Sequence, residues 1–275
     1  MKWKRKRQLA ALASHAVLTL FSLLILLPLL WVVRTSLAPE VVAYEIPPRL
    51  VFRPTLTNYQ ELFAVNEFAR FYRNSLVVAV GSTILAIPIA ALGGYAFARY
   101  RTGGRPLQFT VLGTQMLPGI VLILPLFVVY KALGLTNSLS GLVLAYLSFN
   151  LPFLVWILMG FYEGIPRELE EAALIDGATP VQAFVRVIFP TSAPGVMATA
   201  VLSFILCWNE FLFALILTGA ESSTVPVALA ALQTQRGVLI GKLSSGVILG
   251  ILPVLLLAPF IQRYLVRGLT FGAIK

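Results

Sequence analysis

RELEEAALIDGATPVQAFVRVIFP, residues 167–190, is the longest polar interruption in the second half of a very apolar chain. Pro166 stands where a first helical position would be, and its fixed φ suits a helix start. Glu168, Glu170 and Glu171 follow in the first turns, where the helix dipole favours negative charge. Leu169, Ala172, Ala173 and Asp176 share one face by helical spacing. Gly177 then stops the helix, because glycine takes a left-handed C-terminal position without strain. Thr179, Pro180 and Gln182 form a T-x-x-Q capping box with proline at the first position, so a second helix starts at once. That helix is expected to run to Ile188, with Phe189-Pro190 ending it. The stretch therefore reads as helix, glycine elbow, helix, and it occupies residues 165–190.

The surroundings of the elbow are membrane-like. Of 275 residues, 59% are hydrophobic and only 12% charged, far more apolar than a soluble domain of this length. The expectation is an all-α integral membrane protein forming a single domain over residues 1–275. Cys207 is the lone cysteine, which excludes an internal disulfide. His15 lies in an apolar run and reads as an interior or lipid-facing residue, not a metal ligand. A net charge of +10 fits either nucleic acid or anionic lipid, and its distribution favours membrane lipid.

Leu9 to Val33 follows Lys2, Lys4, Arg5, Lys6 and Arg7. A signal peptide has an apolar core of about 7–15 residues, whereas this run reaches the roughly 20 needed to cross a bilayer. It is expected to be a retained first span. Further spans are expected at Ser75–Ala98, Leu107–Tyr130, Leu142–Tyr162, Ala193–Leu217 and Leu243–Leu265, giving six. Residues 34–73 form a proline-bearing loop with one short helix near Asn58 to Ala64, and residues 219–242 form a second polar loop. Six spans put both termini on one side. That side would hold 13 of the 21 lysines and arginines, against 3 on the other once the long first loop is set aside. The positive-inside rule then makes the termini and the elbow cytoplasmic. Prolines within spans, such as Pro118, Pro125 and Pro253, suggest bent helices. Gly246 and Gly250 form a G-x-x-x-G that serves close helix packing.

Catalytic chemistry is hard to place. Residues 237–242 only faintly resemble a phosphate loop: three residues separate the glycines and Leu243 replaces Ser or Thr. There is no zinc spacing and no set of nucleophile, base and orienter, so the chain is not expected to be an enzyme. Glu210 is the one acid inside an expected span. A charge there costs at least about 2.5–3.5 kcal/mol, so it should face the bundle interior. It serves either a substrate path or a structural hydrogen bond to another helix. Asn150 and Gln115 are neutral candidates for the same path, with helix-to-helix bonding as the alternative for each. On the elbow, Ala172 and Ala173 offer a face of small side chains that a partner protein can approach, and Glu171 and Asp176 suit basic groups on it. The elbow is acidic and tethered between spans, which argues against DNA.

Glu171-Ala172-Ala173, three residues, Gly177, nine residues and Val187-Ile188-Phe189-Pro190 resemble the EAA motif of ABC importer permeases. Val187 and Phe189 depart from the usual Ile and Leu. Asp176-Gly177-Ala178, Trp208-Asn209-Glu210-Phe211, Asn58-Tyr59, Asn74-Ser75-Leu76 and the ending Arg267 to Lys275 are similar to the carbohydrate, maltose-type branch, and within it to the smaller permease subunit. The resemblance covers essentially the whole chain. It implies a type I importer permease fold in a bacterial or archaeal cytoplasmic membrane. It implies a heterodimer with a second permease subunit, two cytoplasmic ATPase subunits and an extracytoplasmic sugar-binding protein. No cofactor would be bound by this chain, and ATP and magnesium would be used by the ATPase subunits. Glu171, Ala172, Ala173, Asp176, Gly177 and Pro190 would belong to the coupling element, with Glu171 meeting a basic residue of the ATPase. Leu269 to Lys275 would touch the ATPase pair as well. Gln233, Thr234, Gln235, Arg236 and Gly237 would form the tip that reaches the binding protein, and Asn209 and Glu210 would line the translocation path.

In such a permease the elbow adds no chemistry. It converts a difference in ATPase contacts into a bias between two membrane states. The rival is a proton-coupled secondary transporter using Glu210; it has a single intramembrane acid and leaves the elbow unexplained. The sugar stays open among disaccharides, alditols and glycerol phosphodiesters.

Overall fold

A computed structural model describes residues 2–65, 67–234 and 237–272. Among the described residues, four helices are long and apolar enough to cross a membrane: Ala11–Ser36, Phe68–Tyr100, Leu139–Glu163 and Ile240–Phe260. Two bent pairs bring the total to as many as six if each counts as one span. By contact the chain divides into two compact units, residues 1–68 with 229–251 and residues 69–228 with 252–275.

In the first unit, the helix Lys2–Ser36 ends on carbonyls that need partners. Asn58 supplies them. Its Nδ2 donates to Ser36 O at 3.0 Å and to Ala38 O at 2.7 Å. Asn58 belongs to the short helix Thr57–Ala64, which matches the one expected in this loop. Lys242 pairs with Glu61 at 2.7 Å, and Ser245 Oγ also donates to Ser36 O. A Cβ on Gly246 would lie 2.3 Å from Leu229 Cδ2, so the G-x-x-x-G glycine does serve packing. His15 is exposed on the first helix, its Nδ1 2.7 Å from Ala11 O. The expectation of a purely helical chain misses one feature: Gln233–Thr234 pairs antiparallel with Gly237–Val238.

The second unit is built on a seam of small residues. Ala86, Ala90 and Ala91 of Phe68–Tyr100 are fully buried beside Leu154, Leu158 and Tyr162 of Leu139–Glu163. With no hydrophobic driving force between helices in lipid, such seams hold by close packing. A Cβ on Gly94 would stand 2.9 Å from Met159 N and 3.0 Å from Val155 O. Asn74 Nδ2 donates to Glu221 O and Ser223 O at 2.8 and 3.0 Å, and Ser75 Oγ accepts from Val225 N at 2.8 Å. These bonds fix the loop after the fifth apolar stretch.

Three expectations about continuity need correction. The stretch Leu107–Tyr130 is not one helix: Gly104–Gly113, with the turn Thr114–Met116, and Gly119–Ala132 meet at 92°. Pro118 is the reason, since the residue before proline is driven out of the helical region and Leu117 takes ψ 125°. The stretch Ala193–Leu217 is also broken, into Ala193–Trp208 and Leu212–Leu217. No proline stands there; Glu210 turns its carboxylate onto the next helix. Finally, Phe189-Pro190 does not end its helix. A π-helical segment, Phe184–Ile188, leads into Phe189–Thr191, and the 76° bend falls before Ala193. Phe189 N donates to Phe184 O in the wider turn of that segment, and the helix ends at Thr191, one residue past the proline.

Candidate functional site

The elbow forms from its own local signals. Its first helix is Glu168–Ile175 with Asp176 at the C-cap. Gly177 follows at φ 87°. Gly177 N donates to Leu174 O at 3.1 Å and Ala178 N to Ala173 O at 3.0 Å, the paired bonds of a Schellman ending. Thr179 then caps Pro180–Ala183. Gln182 N donates to Thr179 Oγ1 at 3.3 Å and Thr179 N to Gln182 Oε1 at 2.9 Å. Both orphan donors of the box are satisfied, so the bend is defined by hydrogen bonds on each side.

The elbow is anchored from below by residues the periodicity did not single out. Glu170 is buried. Its Oε2 lies 3.0 Å from Arg99 Nε, and its Oε1 accepts from Tyr95 OH. Arg99 Nη2 also donates to Ile165 O at 2.9 Å. On the other arm Ala183, Phe184 and Ile188 are buried, with Phe184 against Tyr95 at 4.6 Å between ring centroids. The contact is an aromatic pair at ordinary packing distance.

The outer surface is different. Glu171, Ala172, Asp176 and Pro190 are exposed and Ala173 is half-buried. Beside them stand Leu174, Ile175, Val181 and Val185, all exposed, Ile175 to 86% and Val181 to 71%. A rigid bend thus presents apolar side chains flanked by carboxylates.

The four polar residues considered for a path separate. Gln115 and Glu210 line one cavity of about 270 Å³ together with Ser148, Phe149 and Phe213. Both helix breaks border it. Gln115 Nε2 donates to Phe149 O. The Glu210 carboxylate accepts from Phe213 N at 2.9 Å and Ala214 N at 3.1 Å, so it caps the helix Leu212–Leu217. Non-helical backbone at membrane depth is tolerated where it is buried in protein or lines a wet cavity. Asn150 is elsewhere. It is fully buried and its Nδ2 donates to Ser203 Oγ at 2.6 Å and meets Cys207 Sγ at 3.4 Å. Asn209 is exposed and donates back to Ile205 O within its own helix.

In the loop before the last helix, Gln233 and Gly237 are exposed on the small hairpin, with Thr234 opposite Gly237. Gln235 and Arg236 lie outside the described residues. Leu269 to Gly272 continues the last helix, and Ala273 to Lys275 again lies outside.

Residues 86–271 match the family described as binding-protein-dependent transport system inner membrane components. The chain belongs to that family. Membership agrees with its several long apolar helices and places this inner-membrane component among ABC transporter permeases for sugars. The trehalose transport system permease protein SugB of Mycobacterium tuberculosis is 37% identical, covering 91% of this chain and 92% of its own. The trehalose/maltose transport system permease protein MalG of Thermococcus litoralis is 34% identical, covering 93% and 94%. Among solved structures, a bacterial ABC transporter involved in the import of the acidic polysaccharide alginate matches with a TM-score of 0.75 at 21% identity. The match covers 94% of this chain and 98% of that one, and supports the permease fold.

Proposed function

We propose that this chain is one permease subunit of an ATP-driven, binding-protein-dependent sugar importer, non-catalytic itself, with six spans and both termini in the cytoplasm. It forms half of the translocation pathway with a second permease subunit. Two ATPase subunits dock from the cytoplasm and use the ATP and magnesium; a sugar-binding protein docks on the opposite face. The whole chain acts as one transmembrane permease domain.

One observation carries the coupling role. The elbow is held by a Schellman ending, a capping box and a buried carboxylate, yet turns the side chains of Ile175, Val181, Glu171 and Asp176 outward, exposed among the described residues. An exposed apolar patch rimmed by charge is a protein-interaction surface, and a rigid one transmits displacement. ATP-driven closure of the ATPase pair carries Glu171, Ala172, Ala173, Asp176 and Gly177 with it, and Pro190 passes the movement into the following helix. The helix bundle then shifts between its inward-open and outward-open arrangements. Glu210 and Gln115 border the sugar path at the two helix breaks. Asn209 and Asn150, which do not line that cavity, act on the path only through the helices they hold. Gln233, Thr234, Gln235, Arg236 and Gly237 meet the binding protein.

The proton-coupled alternative asks Glu210 to release and accept a proton. Both carboxylate oxygens already accept backbone N–H bonds, so the side chain is committed to capping the helix Leu212–Leu217.

The test is ATPase activity of the complex purified with its ATPase subunits and stimulated by loaded binding protein. Glu171→Ala and Gly177→Pro are compared with wild type. Proline cannot adopt φ 87°. Both variants are expected to lose stimulation or to lose the ATPase subunits. Normal retention and normal stimulation in both would show that coupling runs elsewhere.

A further inference from the structure

Four arginines converge where the apolar helices end. Arg99, Arg101, Arg105 and Arg167, with Gln108 and Glu163, surround a cavity of about 630 Å³. Arg99 has a task already: its side chain is 5% exposed and paired with Glu170. Among the described residues, Arg101, Arg105 and Arg167 have no ion pair. Glu163 is the one carboxylate on the wall among the described residues. Three guanidiniums against one carboxylate leave a surplus of positive charge in a concave site.

The turn that carries these arginines is built at some conformational cost. Arg101 has φ 49°, followed by Gly103 at 69° and Gly104 at 63°. A non-glycine residue at positive φ is uncommon. Such residues persist where the surroundings over-determine them, and they gather at ligand clamps and functional sites. Gln108 Nε2 is bonded back to Phe97 O, which closes the turn against the end of Phe68–Tyr100. The site is therefore a formed concavity and not a spray of surface side chains.

We infer that this pocket binds a phosphate group, presented by an acidic phospholipid headgroup at the end of the membrane spans. Guanidinium forks match phosphate oxygens in geometry as well as charge. The walls come from the last turns of Phe68–Tyr100 and Leu139–Glu163, both candidate spans. Headgroup phosphates lie at that depth, and basic pockets between helices at a membrane surface suit anionic lipid. Arg167 immediately precedes the elbow helix, while Arg99 holds Glu170 within it. A phosphate bridging Arg167 to Arg101 and Arg105 ties the first arm of the elbow to the bilayer surface. Binding does not depend on the elbow being the coupling element, so the two readings stand or fall separately.

The experiment uses the full chain in detergent, titrated with phosphatidylglycerol or phosphatidylcholine and followed by native mass spectrometry and thermal unfolding. A third arm adds inorganic phosphate in phosphatidylcholine. Phosphatidylglycerol is expected to occupy one tight site and raise the unfolding midpoint, while phosphatidylcholine does neither. With each basic residue near a surface contributing on the order of 1 kcal/mol, R101Q/R105Q should weaken that site by about tenfold or more. The charge-matched R73Q/K131Q should leave it intact. If R101Q/R105Q is already destabilised in phosphatidylcholine, R167Q decides, and the same loss of the tight site is expected. Equal occupancy by the two lipids, or equal loss in R73Q/K131Q, overturns the proposal. Stabilisation by inorganic phosphate alone, lost in R101Q/R105Q, would overturn the lipid source and assign the pocket to a soluble phosphate.

Discussion

Arg99 and Glu170 meet at 3.0 Å with side chains only 5% and 10% exposed, joining the last turn of one membrane helix to the first turn of the elbow. It is an ion pair by distance; the Arg99 Nε–H is not aimed along a hydrogen bond. Tyr95 OH and Ile165 O complete the cluster. Removing one member of a buried pair leaves the other uncompensated. Glu170→Ala is expected to destabilise the chain by about 3 kcal/mol, read as a lowered unfolding midpoint in detergent. Arg99→Gln combined with Glu170→Gln should cost less than the sum of the two single changes. Additivity would mean that the pair does not act as a unit.

Thr179 should matter to the elbow's stiffness. Its hydroxyl and Gln182 exchange two bonds at the start of the second arm. Thr179→Ala is expected to cost about 1 kcal/mol locally, so hydrogen exchange at Gln182 and Ala183 should speed up by roughly fivefold, as that energy implies. Unchanged protection would mean that packing of Phe184, not the cap, sets the start of this arm.

Glu210→Gln separates a helix cap from a proton carrier. An amide keeps one acceptor oxygen, where the carboxylate uses two for Phe213 N and Ala214 N. The expected loss is about 1–2 kcal/mol of stability, with uptake reduced by a few-fold and its pH profile unmoved. Complete loss of uptake in a well-folded variant would return the proton-coupled mechanism to contention.

Asn150→Ala tests bonding between helices. Asn150 Nδ2 reaches Ser203 Oγ at 2.6 Å in a fully buried setting. Such bonds in membranes average only about 0.6 kcal/mol in double-mutant cycles. An Asn150→Ala, Ser203→Ala cycle should give a coupling of that order. A coupling several times larger would mark the pair as more than a helix fastening.

The elbow was legible because every signal that makes it is local. Glu168 to Glu171, Gly177 and the Thr179 box act within a few residues of one another, and the caps form as their spacing implies. Glu170 was not legible. It neighbours Glu171 in sequence, and only the fold decides that one carboxylate is buried against Arg99 while the other is exposed. No periodicity reports a partner 71 positions away. The helix breaks fell between these cases. Pro118 was visible, but whether proline kinks or breaks a span depends on who satisfies the freed backbone. At Glu210 the break goes with a carboxylate that caps the backbone donors of the following helix, which composition does not reveal. The pairing of Gln115 and Glu210 around one cavity depends on both breaks at once.

The crossing at Gly94 has a genetic consequence. The first atoms that a side chain there would strike are Met159 N and Val155 O, with Leu158 Cβ close behind, and every residue type carries a backbone nitrogen and oxygen. Trimming Met159 or Val155 to a smaller residue removes neither obstacle. A substitution at Gly94 should therefore find no second-site suppressor among its neighbours, and selection for restored transport should return glycine at that position, not a repacked seam.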